Sequence, residues 1–174
     1  MPSEIDVCNE ALMMLGDDPI MSLDDGIPRS WLCKLFYPVA RDDVMGSHNW
    51  RCLSRRVQLA RLAEVPPFDY AHYYQIPVDC LKIIRTDLDD DGYDWKREGN
   101  RIATDEATVY LEYVQRVTDP VLWPPKLREA IALHLAEKIC TGVGKGDRKN
   151  DIKQDYEYTL SMAQFFDATE GKPE

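Results

Sequence analysis

"MGSHNWRCLSRRVQLARL", residues 45–62, is where the pattern of the chain changes. Before it, apolar residues recur every three or four positions. Gly46 and Ser47 then close a helix. From Arg51 onward Val57 and Leu59 alternate with polar neighbours, the two-residue period of a strand. Trp50 stands at the switch, where a large ring most simply pins helices to the strands that follow. Between Ser47 and Ala63 there is no acidic residue but four arginines, Arg51, Arg55, Arg56 and Arg61, in a chain of formal net charge −10.

Working towards the N-terminus, Ser3 to Leu15 reads as a helix. Ser3 is placed to cap it, with Asp6 three residues on as in a capping box, and Gly16 ends it. A second helix spans roughly Pro28 to Met45, with Pro28 in its first turn and an awkward internal Pro38. Trp31, Leu35 and Val39, with Leu32 and Phe36, are the stripe expected to be buried. Working towards the C-terminus, "AHYYQI", "DCLKIIRT", "YDWKREG", "NRIATD" and "TVYLEYVQRV" are short β-type runs separated by proline, glycine and aspartate. They predict one small antiparallel sheet. Pro125 begins a long helix to about Thr141, with Leu127, Ile131, Leu135 and Ile139 in register. After "GVGKGD" a last helix runs from about Asn150 to Thr169. Its main stripe is Ile152, Tyr156, Leu160 and Ala163, and a second stripe, Tyr158, Met162 and Phe165, points elsewhere.

The expected fold is therefore α+β: two N-terminal and two C-terminal helices packed as one bundle, with a small antiparallel sheet inserted. It reads as a single domain over 1–174. Residues 1–50 are helical, 51–119 β-rich, 120–170 helical, and 171–174 a polar tail.

With 174 residues, 44% hydrophobic and 30% charged, the composition is globular. No signal peptide and no membrane-spanning run is read, so a soluble intracellular protein is expected. Five cysteines, Cys8, Cys33, Cys52, Cys80 and Cys140, form no Cys-x-x-Cys pair and read as buried small hydrophobes. The net negative charge disfavours a tight, sequence-independent nucleic-acid binder.

Two stretches resemble chemical motifs. "DLDDDGYDWKRE" fits a calcium-loop pattern, with Asp87, Asp89, Asp91 and Glu98 at the carboxylate positions and Tyr93 offering a carbonyl. Both flanks read as strands, however, and Asp94 stands where such loops carry an aliphatic residue. The stretch is read as an acidic hairpin turning at Asp91-Gly92, with no metal. An acidic calcium-binding or protein-interaction module is the alternative function. "GVGKGD" follows a helix rather than a strand and reads as a linker. His48, His72 and His134 lie in three separate elements, and nothing matches a nucleophile–base arrangement. No catalytic residue, cofactor or enzymatic activity is expected.

One ordered set of segments carries a resemblance. "VCNEALMMLGDDPIMSLDD", "YPVARDDVMGSHNW", "VQLARL", "YYQIPVDCLKII", "REGNRIATDEATVYLEYVQRVTDP" and "LREAIALHLAEKI" resemble, in that order, the tail tubular protein A family of tailed phages and prophages. The resemblance runs from about Val7 to Thr141, and "AQFFDATE" in the last helix is also similar. It implies a structural virion protein, a head-to-tail connector. Such proteins form a ring, a dodecamer, at the neck beneath the portal protein. The ring extends the DNA ejection channel, passes double-stranded DNA transiently, and docks later tail or nozzle proteins. Synthesis in the host bacterial cytoplasm follows, with no membrane partner.

In that frame Arg51, Arg55 and Arg56 have two readings: a solvated or interface face paired with acids such as Asp42 and Asp43 or those of a neighbouring subunit, or a channel lining that touches phosphate. The first is preferred, since DNA slides past an acidic wall more readily than past a basic one. Tyr158, Met162 and Phe165, with Glu170, Lys172 and Glu174 of the polar end, are the interface candidates. A second apolar face on one helix calls for a partner.

Overall fold

The computed structural model describes residues 2–170. Helix α1 spans Glu4–Met14 and is capped as the sequence indicates: the Asp6 N–H donates to Ser3 Oγ at 3.2 Å, and the Ser3 N–H donates to the Asp6 carboxylate at 2.7 Å. Asn9 ties the following loop back onto α1 through both of its amide atoms, one to each backbone group of Ile20. Helix α2 spans Pro28–Gly46 and continues through Pro38, which lies on an exposed face where water can take the carbonyl that a proline leaves unbonded.

A turn of 3₁₀ helix, Arg51–Leu53, leads into strands β1 (Ser54–Gln58) and β2 (Ala60–Arg61). Strands β3 (His72–Gln75) and β4 (Cys80–Thr86) follow, then a short helix α3 (Asp87–Asp91), and then β5 (Trp95–Glu98), β6 (Arg101–Thr104) and β7 (Tyr110–Gln115). Helix α4 spans Pro125–Ile139 and α5 spans Lys149–Thr169. The described residues are thus α+β, with five α-helices, all strand pairings antiparallel, and two compact units. One unit is the strand-rich Leu53–Arg116; the other comprises the described residues up to Cys52 and from Val117.

The strand-rich unit corrects the expectation of one sheet. There are two, in the orders β1-β7-β4 and β2-β3-β6-β5. The single run "RRVQLARL" serves both: Ser54–Gln58 pairs with β7, and Ala60–Arg61 with β3. Leu59 sits at the changeover, buried, with its N–H on the Val109 carbonyl at 2.8 Å. Leu59, Tyr74, Ile76, Leu88, Ile102 and Leu111 are among the residues that fill this unit's core.

A second correction concerns Asp87 to Asp91, which is helical rather than a hairpin turn. Thr86 caps α3 in a capping box with Asp89, and Gly92 ends it in the left-handed conformation at φ 72°. The Thr-x-x-Asp spacing outweighed the Asp-Gly turn signal.

In the helical unit α4 packs against α1, α2 and α5. Its buried residues include Leu127, Ala130, Ile131, Leu133, Leu135 and Ile139, more than a single stripe, as a helix with neighbours on several sides requires. Gly142 follows it closely under α2: a Cβ there would stand 2.7 Å from Leu32 Cδ1.

The third correction is in α2. Of the expected buried stripe Trp31, Leu35 and Val39 face water and Leu32 and Phe36 are only half-buried, and Cys33, Tyr37, Ala40 and Val44 are buried instead. These recur at i, i+4, i+7 and i+11, as regular a helical stripe as the one expected.

Candidate functional site

The helical unit carries two exposed apolar faces on two different helices. On α2, Trp31 is 62% exposed, Leu35 46% and Val39 44%. Successive members are four residues apart, so they form one ridge along the helix. The exposed Pro38 lies beside Val39, and the half-buried Leu32 and Phe36 flank the ridge. On α5, Tyr158 is 68% exposed and Phe165 61%, with Met162 half-buried between them. Phe166 meets Phe165 edge to face at 5.9 Å between ring centroids. The opposite side of α5 buries Ile152, Thr159, Ala163 and Asp167. Sequence reasoning placed the α5 face outside the core but took the α2 face for core. The signal that would have found it was the second regular stripe from Cys33 to Val44.

Near the end of α5 a pocket of about 230 Å³ is lined mainly by apolar groups, among them Trp50, Pro124, Leu127 and Phe166. Trp50 is buried in this unit, and its Nε1 donates to the Val44 carbonyl at 3.1 Å. Beside the pocket the buried Asp167 accepts the Arg51 N–H at 2.7 Å and the Cys52 N–H at 3.0 Å. Burial, reinforced by the Asp167 carboxylate, pushes the Cys52 thiol well up, so it stays protonated. Glu170 is exposed as the last residue described. Lys172 and Glu174 lie outside the described residues.

Across the helices, His134 of α4 stacks on Tyr156 of α5 at 4.6 Å, and its Nε2 lies 3.3 Å from Asp43 of α2. Lys138 reaches the same Asp43 carboxylate at 2.8 Å. Burial raises Asp43, but the hydrogen bonds from Lys138 and His134 outweigh it and hold the carboxyl below the ordinary range. Burial pushes the Tyr156 hydroxyl up to about 12.

Two arginines of the opening segment, Arg55 and Arg56, lie beside acids of the strand-rich unit. Asp42 is held by Arg41 and Asp43 by Lys138, all within the helical unit. Arg55 lies 4.0 Å from Asp79, and Arg56 lies 3.1 Å from Glu112. Glu112 sits on the central strand β7, directly across from Arg56 on β1 and Arg85 on β4, and also accepts the Ser54 hydroxyl at 3.0 Å. The Arg51 side chain is exposed.

The acidic segment's carboxylates are turned to separate tasks. Asp89 accepts the Thr86 N–H, the Thr86 hydroxyl and the Trp95 indole N–H; Asp87 accepts the Tyr110 N–H; Glu98 accepts the Tyr73 hydroxyl at 2.6 Å. Asp91 is exposed. Among the described residues no group of three or more His, Cys, Asp or Glu side chains is arranged to hold a metal ion, and no helix is long and apolar enough to cross a membrane.

The strand-rich unit adds one exposed feature that sequence reasoning passed over. Phe68 is mostly exposed, and its carbonyl accepts the Tyr70 N–H at 2.9 Å across Asp69, which has φ 70°. This is a tight γ-type turn, a strained conformation for a non-glycine residue.

No protein-family model matches the chain, and no curated protein shows significant similarity to it.

Proposed function

We propose that the protein is a head-to-tail adaptor of a tailed phage or prophage. Twelve copies form a ring beneath the portal, extend the DNA channel, and offer a platform for later tail proteins. In this reading the four long helices act as one bundle that meets neighbouring subunits and the portal. The observation that carries it is the pair of unpartnered apolar faces, Trp31-Leu35-Val39 and Tyr158-Met162-Phe165, on a single helical unit. Contiguous exposed apolar surface of this kind marks a protein–protein contact. The ordered resemblance described above adds its weight, as does the helix–strand–helix order of the chain.

Electron microscopy of the purified protein, alone and mixed with its portal, tests the reading. Rings seated on the portal are the expected result. Strictly monomeric particles and bare portals at high protein concentration would overturn it. Changing Tyr158 and Phe165 to Ser is expected to leave the chain folded and to weaken portal docking. Deleting residues 171–174 tests the polar end in the same assay, again with weaker docking expected.

A further inference from the structure

We infer that the α2 face of one copy, Trp31-Leu35-Val39, docks on the α5 face of a second copy, Tyr158-Met162-Phe165. The inference rests on the ring reading for one requirement: a cyclic assembly needs two different faces on each subunit, one to meet each neighbour.

Among the described residues of one copy neither face has a cover. The inward side of α2 is Cys33, Tyr37, Ala40 and Val44, and the inward side of α5 is Ile152, Thr159 and Ala163. Both helices pack on α4, while the outward residues remain open to solvent. The two faces also match in length. Residues 31 to 39 and 158 to 165 each span about two helical turns, on the order of 11 Å. The four-residue ridge of α2 can lie in the groove beside the mixed three- and four-residue row of α5. Met162, unbranched and polarizable, suits the position facing an indole.

Area decides between a dimer and a ring. Taking about 200 Å² for a large aromatic side chain, each face exposes on the order of 400 Å² of apolar surface. One joint would then bury about 800 Å², half of the roughly 1,600 Å² typical of a stable pair. A copy that uses both faces takes part in two joints, which together reach that scale. A single pair is therefore weak, and closure, or a portal on which to assemble, makes the contact persist.

Photocrosslinking tests this on the full chain. p-Benzoylphenylalanine replaces Leu35, and equal parts of isotopically heavy and light protein are irradiated at high concentration, with and without portal. The expected product joins the peptide containing residue 35 to a peptide from residues 149–169, in mixed heavy–light form. Changing Tyr158 and Phe165 to Ser is expected to lower its yield about tenfold, as the loss of central anchors does. Crosslinks from residue 35 to another copy's α2, crosslinks to portal peptides alone, or no intermolecular product in either condition would overturn the inference. Portal rings with the wrong crosslink would sink this joint and leave the adaptor function standing. The right crosslink without portal binding would do the reverse.

Discussion

Asp167 has both carboxylate oxygens committed to backbone, one to Arg51 and one to Cys52, 116 and 115 residues away in sequence. It clamps the segment that leaves α2 to the last turns of α5. Asp167→Ala would strand two N–H groups, each costing about 1–3 kcal/mol if left unsatisfied. A loss of roughly 2 kcal/mol or more in urea unfolding is expected, and an unchanged midpoint would show that water replaces the carboxylate. Two tryptophans make the companion comparison. Trp50→Ala removes a buried ring and its hydrogen bond and is expected to cost about 3–5 kcal/mol. Trp31→Ala touches an exposed ring and is expected to stay within about 0.5 kcal/mol in the monomer. Equal losses at the two sites would contradict the assignment of the inward face of α2.

Among the elements, strand β7 shows how charge is arranged on a sheet. Burial pulls Glu112 up, but the hydrogen bonds from Arg85, Ser54 and Arg56 outweigh it and hold the carboxyl below its ordinary 4.5. A carboxylate with a depressed folded-state pKa stabilises the fold above its unfolded pKa, and the contribution fades as pH falls through the folded value. Wild-type stability should therefore drop more steeply than that of Glu112→Gln below about pH 4.5, measured as urea midpoints across that range. Parallel curves would mean that the Arg-Glu-Arg row contributes no net coupling. How far such elements were legible depended on whether one local signal stood alone. Ser3 with Asp6, the four-residue repeat of α4, and every strand run announced themselves because nothing competed. In α2 two regular stripes competed, and hydrophobicity favoured the wrong one: Trp31, Leu35 and Val39 offer more apolar side chain than Cys33 and Ala40, but small residues fit a close helix–helix seam. In "TDLDDDG" the capping box and the turn pair competed, and tertiary bonds from Tyr110 and Trp95 favoured the helix. The two-sheet arrangement hinged on Leu59, and nothing local to that leucine marks where a strand changes partners.

For the whole molecule the decisive quantity is the net charge, 21 basic residues against 31 acidic ones. In the proposed ring that charge would be multiplied by the number of subunits, so closure would work against like-charge repulsion while the apolar faces would drive it. The basic segment after Trp50 does not reverse this, because Arg55 and Arg56 already lie beside Asp79 and Glu112. In the proposed conduit the same charge would be an advantage: a negative wall would not retain phosphate, and duplex DNA would pass without the tight, salt-sensitive binding that unpaired cations produce. Salt then separates the two ways in which subunits could be held. Between about 0.05 M and 0.5 M sodium chloride the Debye length falls from over 10 Å to about 4 Å. Screening weakens repulsion between whole subunits, whereas burial of Trp31 and Phe165 is little affected or slightly strengthened. Self-association measured by sedimentation velocity is therefore expected to strengthen several-fold over that range, with no retention of duplex DNA at either end. Association that weakens with salt would mean that ion pairs, rather than the exposed faces of α2 and α5, hold neighbouring copies together.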